Sequence, residues 1–229
     1  MGKQLLTLFT LFFTVIKIAS ADDVSERIKH KLQLELTTSY IKKLEAKFGE
    51  CGADSSSCLT PRDNYMIVSL PKAEICFPYT MCGFYHCMEK KYRCDDVGIN
   101  YFTKLAFPTC SAYEANIKSK LFTDKGVEWI YSVMVCLQKG LIDECEVNEN
   151  CPVGKNSIDQ KKTCEHITDF TLAYHPGCYI KSGVGVCHLP LKDKLNIWKT
   201  VNPFMTARER QEAYKVIFEC LIPDGYAQP

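Results

Sequence analysis

The sequence predicts a mainly α-helical, disulfide-rich protein. Three observations support this fold class: an N-terminal segment with the form of a signal peptide, 14 cysteines, and several segments whose apolar residues recur at helical spacing. The clearest helix, the central helix, lies at about 123–139, and the cysteine-rich segment 51–110 is expected to be irregular. The predicted domains are a signal peptide at 1–21, an N-terminal amphipathic helix at 22–50 and a disulfide-stapled helical domain at 51–229.

Residues 1–21 have the three parts of a signal peptide. Lys3 provides a basic start, Leu5 to Ile18 an apolar core, and residues 19–21, Ala-Ser-Ala, a cleavage site. The apolar core is shorter than the roughly 20 residues that a membrane span needs. Because no later segment is as long and apolar, we expect a secreted, extracellular mature chain with no membrane span.

The charge of the chain gives no indication of a nucleic-acid or anionic-lipid partner. The 28 basic and 27 acidic residues give a formal net charge of +1, and the leader contains Lys3 and Lys17, so the mature chain is close to neutral. Roughly 200 residues remain, which suits one large domain or two small ones. No Asn-x-Ser/Thr sequon is present, so no N-glycan is expected.

All of the cysteines follow the leader, and an even number behind a signal peptide is typical of a disulfide framework. The pairing cannot be read from the sequence, and a bond between two chains is as consistent with the count as complete internal pairing. Zinc sites usually have C-x2-C ligand pairs, whereas the closest spacing here has four residues between cysteines, so no metal site is predicted. The framework comprises Cys51, Cys58, Cys76, Cys82, Cys87, Cys94, Cys110, Cys136, Cys145, Cys151, Cys164, Cys178, Cys187 and Cys220.

Asp23 to Phe48 is predicted to form a long amphipathic helix, because apolar residues recur at every fourth position. Asp23 with Glu26 resembles a capping box, and Gly49 stands where a C-terminal glycine belongs. We interpret this helix as packing on its own domain; the alternative is a helix that binds a partner, since an apolar stripe must be covered by something.

Less regular structure is predicted for the following sixty residues. Gly49 to Leu59 is expected to be a loop held by its two cysteines, and Asn64 to Leu70 is either a strand or one helical turn. In the cysteine-dense segment from Cys76 to Cys110, only Phe84 to Lys91 is predicted to form a short helix, because proline, glycine and cysteine interrupt the rest.

The central helix has the clearest amphipathic pattern in the chain. Thr123 or Asp124 can cap its start, and Gly140 is expected to end it as a left-handed residue. Cys136 lies beside the apolar stripe, where a disulfide would join the helix to a neighbour. The stripe consists of Val127, Ile130, Val133, Met134 and Leu137.

A second helix is predicted after an acidic loop. A capping box of Ser157 and Gln160 is expected to start it, and Pro176-Gly177 to end it. The segment from Cys178 to Cys187 contains two glycines, so we expect a tight loop closed by, or near, its cysteines.

Two shorter helices are predicted near the C-terminus. The first contains Leu191, Leu195 and Trp198 and ends before Pro203. The last begins at a capping box of Thr206 and Glu209, ends before Pro223 and is held by Cys220. Its inward-facing residues are expected to be Tyr214, Ile217, Phe218 and Leu221.

Motifs of known chemistry are absent from the sequence. There is no G-x-S-x-G nucleophile elbow, P-loop or dinucleotide glycine fingerprint. Residues 143–150 are acidic, but they lack EF-hand spacing and favour a solvated loop. His175 to Tyr179 is similar to the His-x-x-Cys-Tyr portion of secreted phospholipase A2, yet Pro176 replaces its calcium-binding acid. We therefore predict no catalytic residues, no metal and no cofactor.

CGFYHC at residues 82–87, the arrangement of aromatic residues, Cys136 and two glycines at 122–141, and Glu219-Cys220 resemble motifs of one protein family. This family is the stanniocalcins, secreted helical hormone-like proteins. Their C-G-x-aromatic-x-C motif is matched by CGFYHC at residues 82–87. Their pattern of aromatic, Gly, aromatic-Val/Ile, Cys-Ile/Leu and Gly-Val/Leu is matched without gaps at 122–141, and Glu219-Cys220 is similar to their Leu-Glu-Cys. The resemblance ends at Cys220 and leaves residues 22–75 unmatched.

The resemblance implies a secreted, non-enzymatic regulatory protein, hormone-like or inhibitory, that binds an extracellular protein or receptor. The family's C-terminal cysteine, which joins two chains, is missing after Cys220, so a homodimer is left open rather than supported. A secreted carrier of an apolar ligand is the alternative, and a cavity of several hundred Å3 would favour it. A secreted hydrolase using His175 is a weaker alternative that needs a carboxylate hydrogen-bonded to the imidazole.

Overall fold

The structure, a computed structural model, describes residues 21–52 and 54–221. The predicted signal peptide lies outside the described residues, except for its last residue, Ala21. The fold is mainly α-helical and disulfide-rich, as the sequence predicts. All fourteen cysteines pair within the chain, in seven disulfides, which decides the choice that the sequence leaves open. The α-helices are α1 (Ala21–Glu35), α2 (Ile41–Phe48), α3 (Phe84–Tyr92), α4 (Phe107–Lys118), α5 (Asp124–Ile142), α6 (Ser157–Lys181), α7 (Leu191–Val201) and α8 (Ala207–Leu221).

The N-terminal helix packs on the central helix α5 rather than standing apart from it. Helices α1 and α2 are continuous through a π-helical turn at Leu36–Tyr40. Leu36, Tyr40 and Leu44 of the predicted stripe are buried in the same core as α5. The Ser25 hydroxyl lies 3.0 Å from the Tyr131 hydroxyl of α5. The stripe is therefore covered by the chain itself, which favours the interpretation that this helix packs on its own domain.

The prediction that segment 51–110 is irregular is wrong between Leu59 and Phe77. Three antiparallel strands, β1 (Leu59–Arg62), β2 (Tyr65–Leu70) and β3 (Ala73–Phe77), pair in sequence order through two-residue turns. The sequence leaves Asn64 to Leu70 open between a strand and a helical turn, and the structure has strand β2 there. Its aromatic and β-branched residues suit a half-buried pleated surface. Helix α3 matches the predicted short helix, and a π-helical segment at Tyr101–Ala106 leads into α4.

Helix α5 is the centre of the fold. Its whole predicted stripe is buried, and so are residues around the rest of its circumference, including Trp129, Tyr131 and Ile142. Thr123 is the N-cap, and its hydroxyl accepts a hydrogen bond from the Gly126 N–H at 3.3 Å. The predicted end at Gly140 is wrong, because the helix continues to Ile142.

Gly140 has a packing role instead of a terminating one. A Cβ atom at this position would lie 2.3 Å from the Tyr174 ring of α6. Glycine therefore permits the close approach of α6 to α5.

Helix α6 begins and ends at residues other than those predicted. The N-cap is Asn156, whose side-chain oxygen accepts from two backbone N–H groups, rather than the expected box of Ser157 and Gln160. Pro176 lies inside the helix, which continues to Lys181. An internal proline costs about 3 kcal/mol, and tertiary contacts of the last turn oppose this cost. Among them, the Trp129 Nε1–H donates to the Tyr179 carbonyl at 2.9 Å.

The disulfides join helices to one another and close short loops. The bridge Cys136–Cys178 joins α5 to α6, as the position of Cys136 predicts for a neighbouring helix. Cys178 and Cys187 do not close the segment between them. Cys178 is bonded to Cys136 of α5, and Cys187 is bonded to Cys220 of α8. The seven bridges are Cys51–Cys58, Cys76–Cys87, Cys82–Cys110, Cys94–Cys164, Cys136–Cys178, Cys145–Cys151 and Cys187–Cys220.

Helices α7 and α8 confirm the two predicted C-terminal helices. The Glu209 carboxylate accepts from the Thr206 N–H at 2.7 Å, which is one half of the predicted capping box. The bridge Cys187–Cys220 holds the end of α8. Among residues 21–52 and 54–221, no helix is long and apolar enough to cross a membrane.

Candidate functional site

Helix α7 is fixed to the central helix by a buried carboxylate. Asp193 is fully buried, and it accepts hydrogen bonds from the Thr123 N–H at 3.0 Å and the Thr123 hydroxyl at 2.5 Å. A Cβ atom on Gly126 would lie 2.8 Å from the Asp193 carboxyl group. Glycine at 126 therefore leaves the space in which this carboxylate caps the start of α5.

The outer side of α8 is apolar and exposed, contrary to the prediction. Tyr214, Ile217, Phe218 and Leu221, expected to face inward, are 46–70% exposed, and the buried residue of this helix is Val216. Spacing alone shows that such residues share a helix face; it does not show which way the face points.

Helix α7 extends this surface. Leu191 and Leu195 are exposed on one side of α7, and the neighbouring Trp198 ring lies 6.4 Å from the Tyr214 ring of α8. The bridge Cys187–Cys220 joins the chain before α7 to the end of α8. Six of the eleven exposed large hydrophobic side chains in the described part of the chain belong to these two helices. We call them the α7–α8 apolar face: Leu191, Leu195, Tyr214, Ile217, Phe218 and Leu221.

A cavity of about 80 Å3 lies beneath the inner side of α8. Helices α6 and α8 supply the largest shares of its walls, followed by α4 and the π-helical segment Tyr101–Ala106 before it. Helices α3, α5 and α7 and the α7–α8 connection complete the walls. Glu209, Glu212, Ala213 and Val216 of α8 form one wall. Its apolar lining includes Leu105, Val133, Leu137, Leu172 and Val201.

Polar side chains line this cavity beside the apolar ones. The hydroxyls of Thr109 and Tyr113, one turn apart on α4, are buried and have no hydrogen-bond partner in the described part of the chain. Burial raises the pKa of Tyr113 well above its ordinary value and raises the pKa of Tyr179 to about 12. Both phenols therefore stay protonated and able to donate.

His175, the residue named for a hydrolase, also lines the cavity. Its Nδ1 lies 2.5 Å from the Thr171 carbonyl oxygen, so the ring bonds to the backbone of its own helix rather than to a carboxylate. Burial lowers the pKa of His175 below its ordinary value, against the smaller raising effects of that carbonyl, Glu209 and Glu212. Among the residues that the structure describes, no carboxylate is hydrogen-bonded to this imidazole.

The acidic loop at 143–150 is paired rather than solvated. Lys91 and the Tyr92 hydroxyl contact the Glu146 carboxylate at 2.7 and 2.9 Å. Glu144 lies 2.8 Å from the His166 ring. These contacts tie the loop to α3 and α6, and within residues 21–52 and 54–221 no cluster of three acidic, histidine or cysteine side chains could hold a metal ion.

The fourteen predicted cysteines are brought together only in pairs. All are disulfide-bonded, so none provides a thiol for catalysis or metal binding. Sequence patterns do not indicate the cavity, because Tyr85, Tyr101 and Tyr113 lie in separate segments that only the fold brings together.

No family model, curated protein or solved structure matches the chain. The resemblance to stanniocalcins therefore depends on the matched residues of the sequence.

Proposed function

We propose that the chain is a secreted, non-enzymatic regulatory protein that acts by binding an extracellular protein through the α7–α8 apolar face. The observation that carries this proposal is the concentration of exposed apolar side chains on these two helices. Exposed apolar side chains grouped on neighbouring helices are typical of a protein-interaction site. The leader-like N-terminus and the seven disulfides support an extracellular location.

The proposed partner is a protein with an apolar groove. The α8 residues recur at i, i+3, i+4 and i+7, which is the arrangement by which an amphipathic helix fills such a groove. Charged side chains of both signs, including Lys199, Lys215 and Glu219, are exposed on the same two helices. A mixed polar rim around an apolar centre is characteristic of protein interfaces, whereas an anionic membrane would favour a uniformly basic rim.

The two alternatives receive less support. A carrier of a large apolar ligand needs a pocket of about 300 Å3 or more, and the cavity beneath α8 is about 80 Å3. A hydrolase that uses His175 needs a group to orient and activate the imidazole. The His175 ring is hydrogen-bonded to the Thr171 carbonyl rather than to a carboxylate.

The test measures how two double variants bind to proteins of the extracellular fluid into which the chain is secreted. Ile217→Ser with Phe218→Ser removes the centre of the α8 stripe. Val153→Ser with Ile158→Ser removes two exposed apolar side chains elsewhere and is the matched control. We expect saturable binding of the wild type and the control, and at least a tenfold loss for the first variant, because a few central residues dominate binding energy.

Equal binding by both double variants would contradict the assignment of the face. Concentration-dependent self-association that only Ile217→Ser with Phe218→Ser abolishes would make the partner a second copy of this chain. Turnover of lipid or peptide substrates that is lost in His175→Gln would replace the proposal with the hydrolase.

A further inference from the structure

Exposed lysines on two neighbouring parts of the fold form a basic patch. They lie at the end of α4, around the start of α5 and on the outer side of α7. In residues 21–52 and 54–221, the ion pairs all join other side chains, so these lysines have no acidic partner within the described part of the chain. We call them the lysine patch: Lys118, Lys120, Lys125, Lys192 and Lys199.

Hydrogen bonds hold the connection between α4 and α5 against α7. The Asn196 side-chain amide of α7 donates to the Leu121 carbonyl of the connection at 2.7 Å. The Asn116 side-chain amide of α4 donates to the Thr200 hydroxyl of α7 at 2.8 Å. The lysines of the connection are therefore held beside α7 by contacts on both sides of Leu121.

The lysines of α7 border this connection. Lys192 and Lys199 are seven residues apart, so they project from the same side of the helix at positions about 10 Å apart along its axis. Asn196, which contacts the connection, lies one turn from each of them on one side, and the exposed Leu195 lies one turn from each on the other. The basic row therefore runs between the α4–α5 connection and the α7–α8 apolar face.

Neighbouring carboxylates do not cancel the charge of the patch. Asp193 of α7 is buried and accepts hydrogen bonds from Thr123. Asp124 is exposed at the start of α5, whereas Glu114 of α4 and Glu128 of α5 are half-buried. Five lysines against these three acids leave a net charge of 5 − 3 = +2. The whole chain has a formal net charge of +1, so positive charge is concentrated in this region.

We propose that the lysine patch binds an extracellular sulfated polysaccharide. Clustered lysines are typical of sites for polyanions such as heparin, and a row of compact ammonium groups suits a chain that repeats its anionic groups. Anionic lipids are concentrated in the cytoplasmic leaflet of the cell membrane, which an extracellular protein does not meet. The inference rests on the extracellular location proposed above, and it does not depend on the protein partner assigned to the α7–α8 apolar face.

The experiment titrates a fluorescently labelled heparin hexasaccharide with the secreted protein and follows its anisotropy. We expect saturable binding that weakens at least tenfold when NaCl is raised from about 0.05 M to about 0.2 M, because a polyanion releases bound counterions when lysines contact it. The same hexasaccharide without its sulfate groups should not bind.

Two charge-reversal variants test the location. Lys120→Glu with Lys199→Glu should weaken binding at least tenfold, because it replaces attraction with repulsion on both sides of Asn196. Lys42→Glu with Lys162→Glu makes the same change in net charge at two exposed lysines of α2 and α6, and it should leave the affinity within about twofold.

Ile217→Ser with Phe218→Ser should also bind the hexasaccharide as the wild type does, so loss of the protein partner and loss of the polysaccharide are separate results. Absence of saturable binding at about 0.05 M NaCl would overturn the proposal. Equal losses in the two charge-reversal variants would refute the patch, because the attraction would then follow net charge alone. Vesicles of equal parts phosphatidylcholine and phosphatidylserine give the remaining comparison. If they bind and the hexasaccharide does not, the patch is a membrane site and the polysaccharide is wrong.

Discussion

Helices α5 and α6 and helices α7 and α8 are two pairs of helices, and each pair is associated with one disulfide. They differ in what their apolar residues contact. Thirteen of the nineteen residues of α5 are buried, whereas one of the fifteen residues of α8 is buried. Apolar residues at helical spacing therefore belong to the core in α5, whereas in α8 they form an exposed surface. The central pair determines stability, and the C-terminal pair is available for binding.

The contact between Asp193 of α7 and Thr123 at the start of α5, here called the joint, is polar. Asp193 of α7 accepts hydrogen bonds from the backbone N–H and the hydroxyl of Thr123 at the start of α5, so the position of α7 is set by a buried carboxylate as well as by packing. Helix α8 instead packs mainly on α6 and is held at its end by Cys220. We expect the C-terminal pair to tolerate change in its outer side chains while depending on this joint.

The largest expected effect distinguishes the two bridges. Cys136→Ala with Cys178→Ala should lower the free energy of unfolding by about 3–5 kcal/mol, because this bridge joins two core helices and Cys178 is buried. Cys187→Ala with Cys220→Ala should lower it by about 2 kcal/mol or less, because both cysteines are half-buried and the bridge holds the mostly exposed α8. The enclosed loops, with sequence separations of 42 and 33, are nearly equal, so loop entropy contributes a difference of only about 0.2 kcal/mol. Urea unfolding of both variants measures the loss in free energy of unfolding. Equal losses would contradict the predicted difference between the two bridges.

The next effect concerns the joint. Asp193→Ala should cost about 1–3 kcal/mol, because it leaves buried donors of Thr123 without an acceptor. Asp124→Ala, which removes an exposed carboxylate from the same helix start, should cost about 0.5 kcal/mol. Urea unfolding compares the two variants. If Asp193→Ala lowers the free energy of unfolding no more than Asp124→Ala does, the buried contact does not anchor α7.

A smaller effect depends on pH. Burial holds the pKa of His175 below its ordinary value of 6.5, so below pH 6.5 the unfolded chain binds the proton more readily than the folded chain. The contribution of this group to stability is complete above pH 6.5 and is lost as pH falls toward the folded pKa, at no more than about 1.4 kcal/mol per pH unit. His175→Gln should flatten the dependence between pH 7.5 and 5.5, measured by urea unfolding. An unchanged slope in this variant would contradict the assignment.

The smallest effect is expected on the exposed face. Phe218→Ser should change the free energy of unfolding by about 0.5 kcal/mol or less, because the side chain is 65% exposed. Leu141→Ala in the fully buried part of α5 should cost about 2–5 kcal/mol. Thermal and urea unfolding of the two variants measure this contrast. A large loss of stability in Phe218→Ser would mean that the face is covered within the chain.

The sequence predicts those features of the fold that depend on local pattern. The central helix, its cap at Thr123 and the C-terminal helices follow from periodicity and capping chemistry. Errors occurred where tertiary contacts outweigh local preference: Gly140 lies inside α5 beneath the Tyr174 ring, and Pro176 lies inside α6. The outward direction of the α8 stripe could not be predicted, because periodicity groups residues without identifying what covers them.

Site-specific photo-crosslinking tests the assignment of the binding surface most directly. A photoreactive phenylalanine analogue replaces Phe218 in one protein and Ile158, an equally exposed residue outside the face, in another. Each protein is secreted into its natural extracellular fluid and irradiated there. We predict a discrete crosslinked protein from position 218 that is absent from position 158 and is lost when Ile217→Ser is added. Crosslinks of equal yield from both positions, or from position 158 alone, would contradict the account.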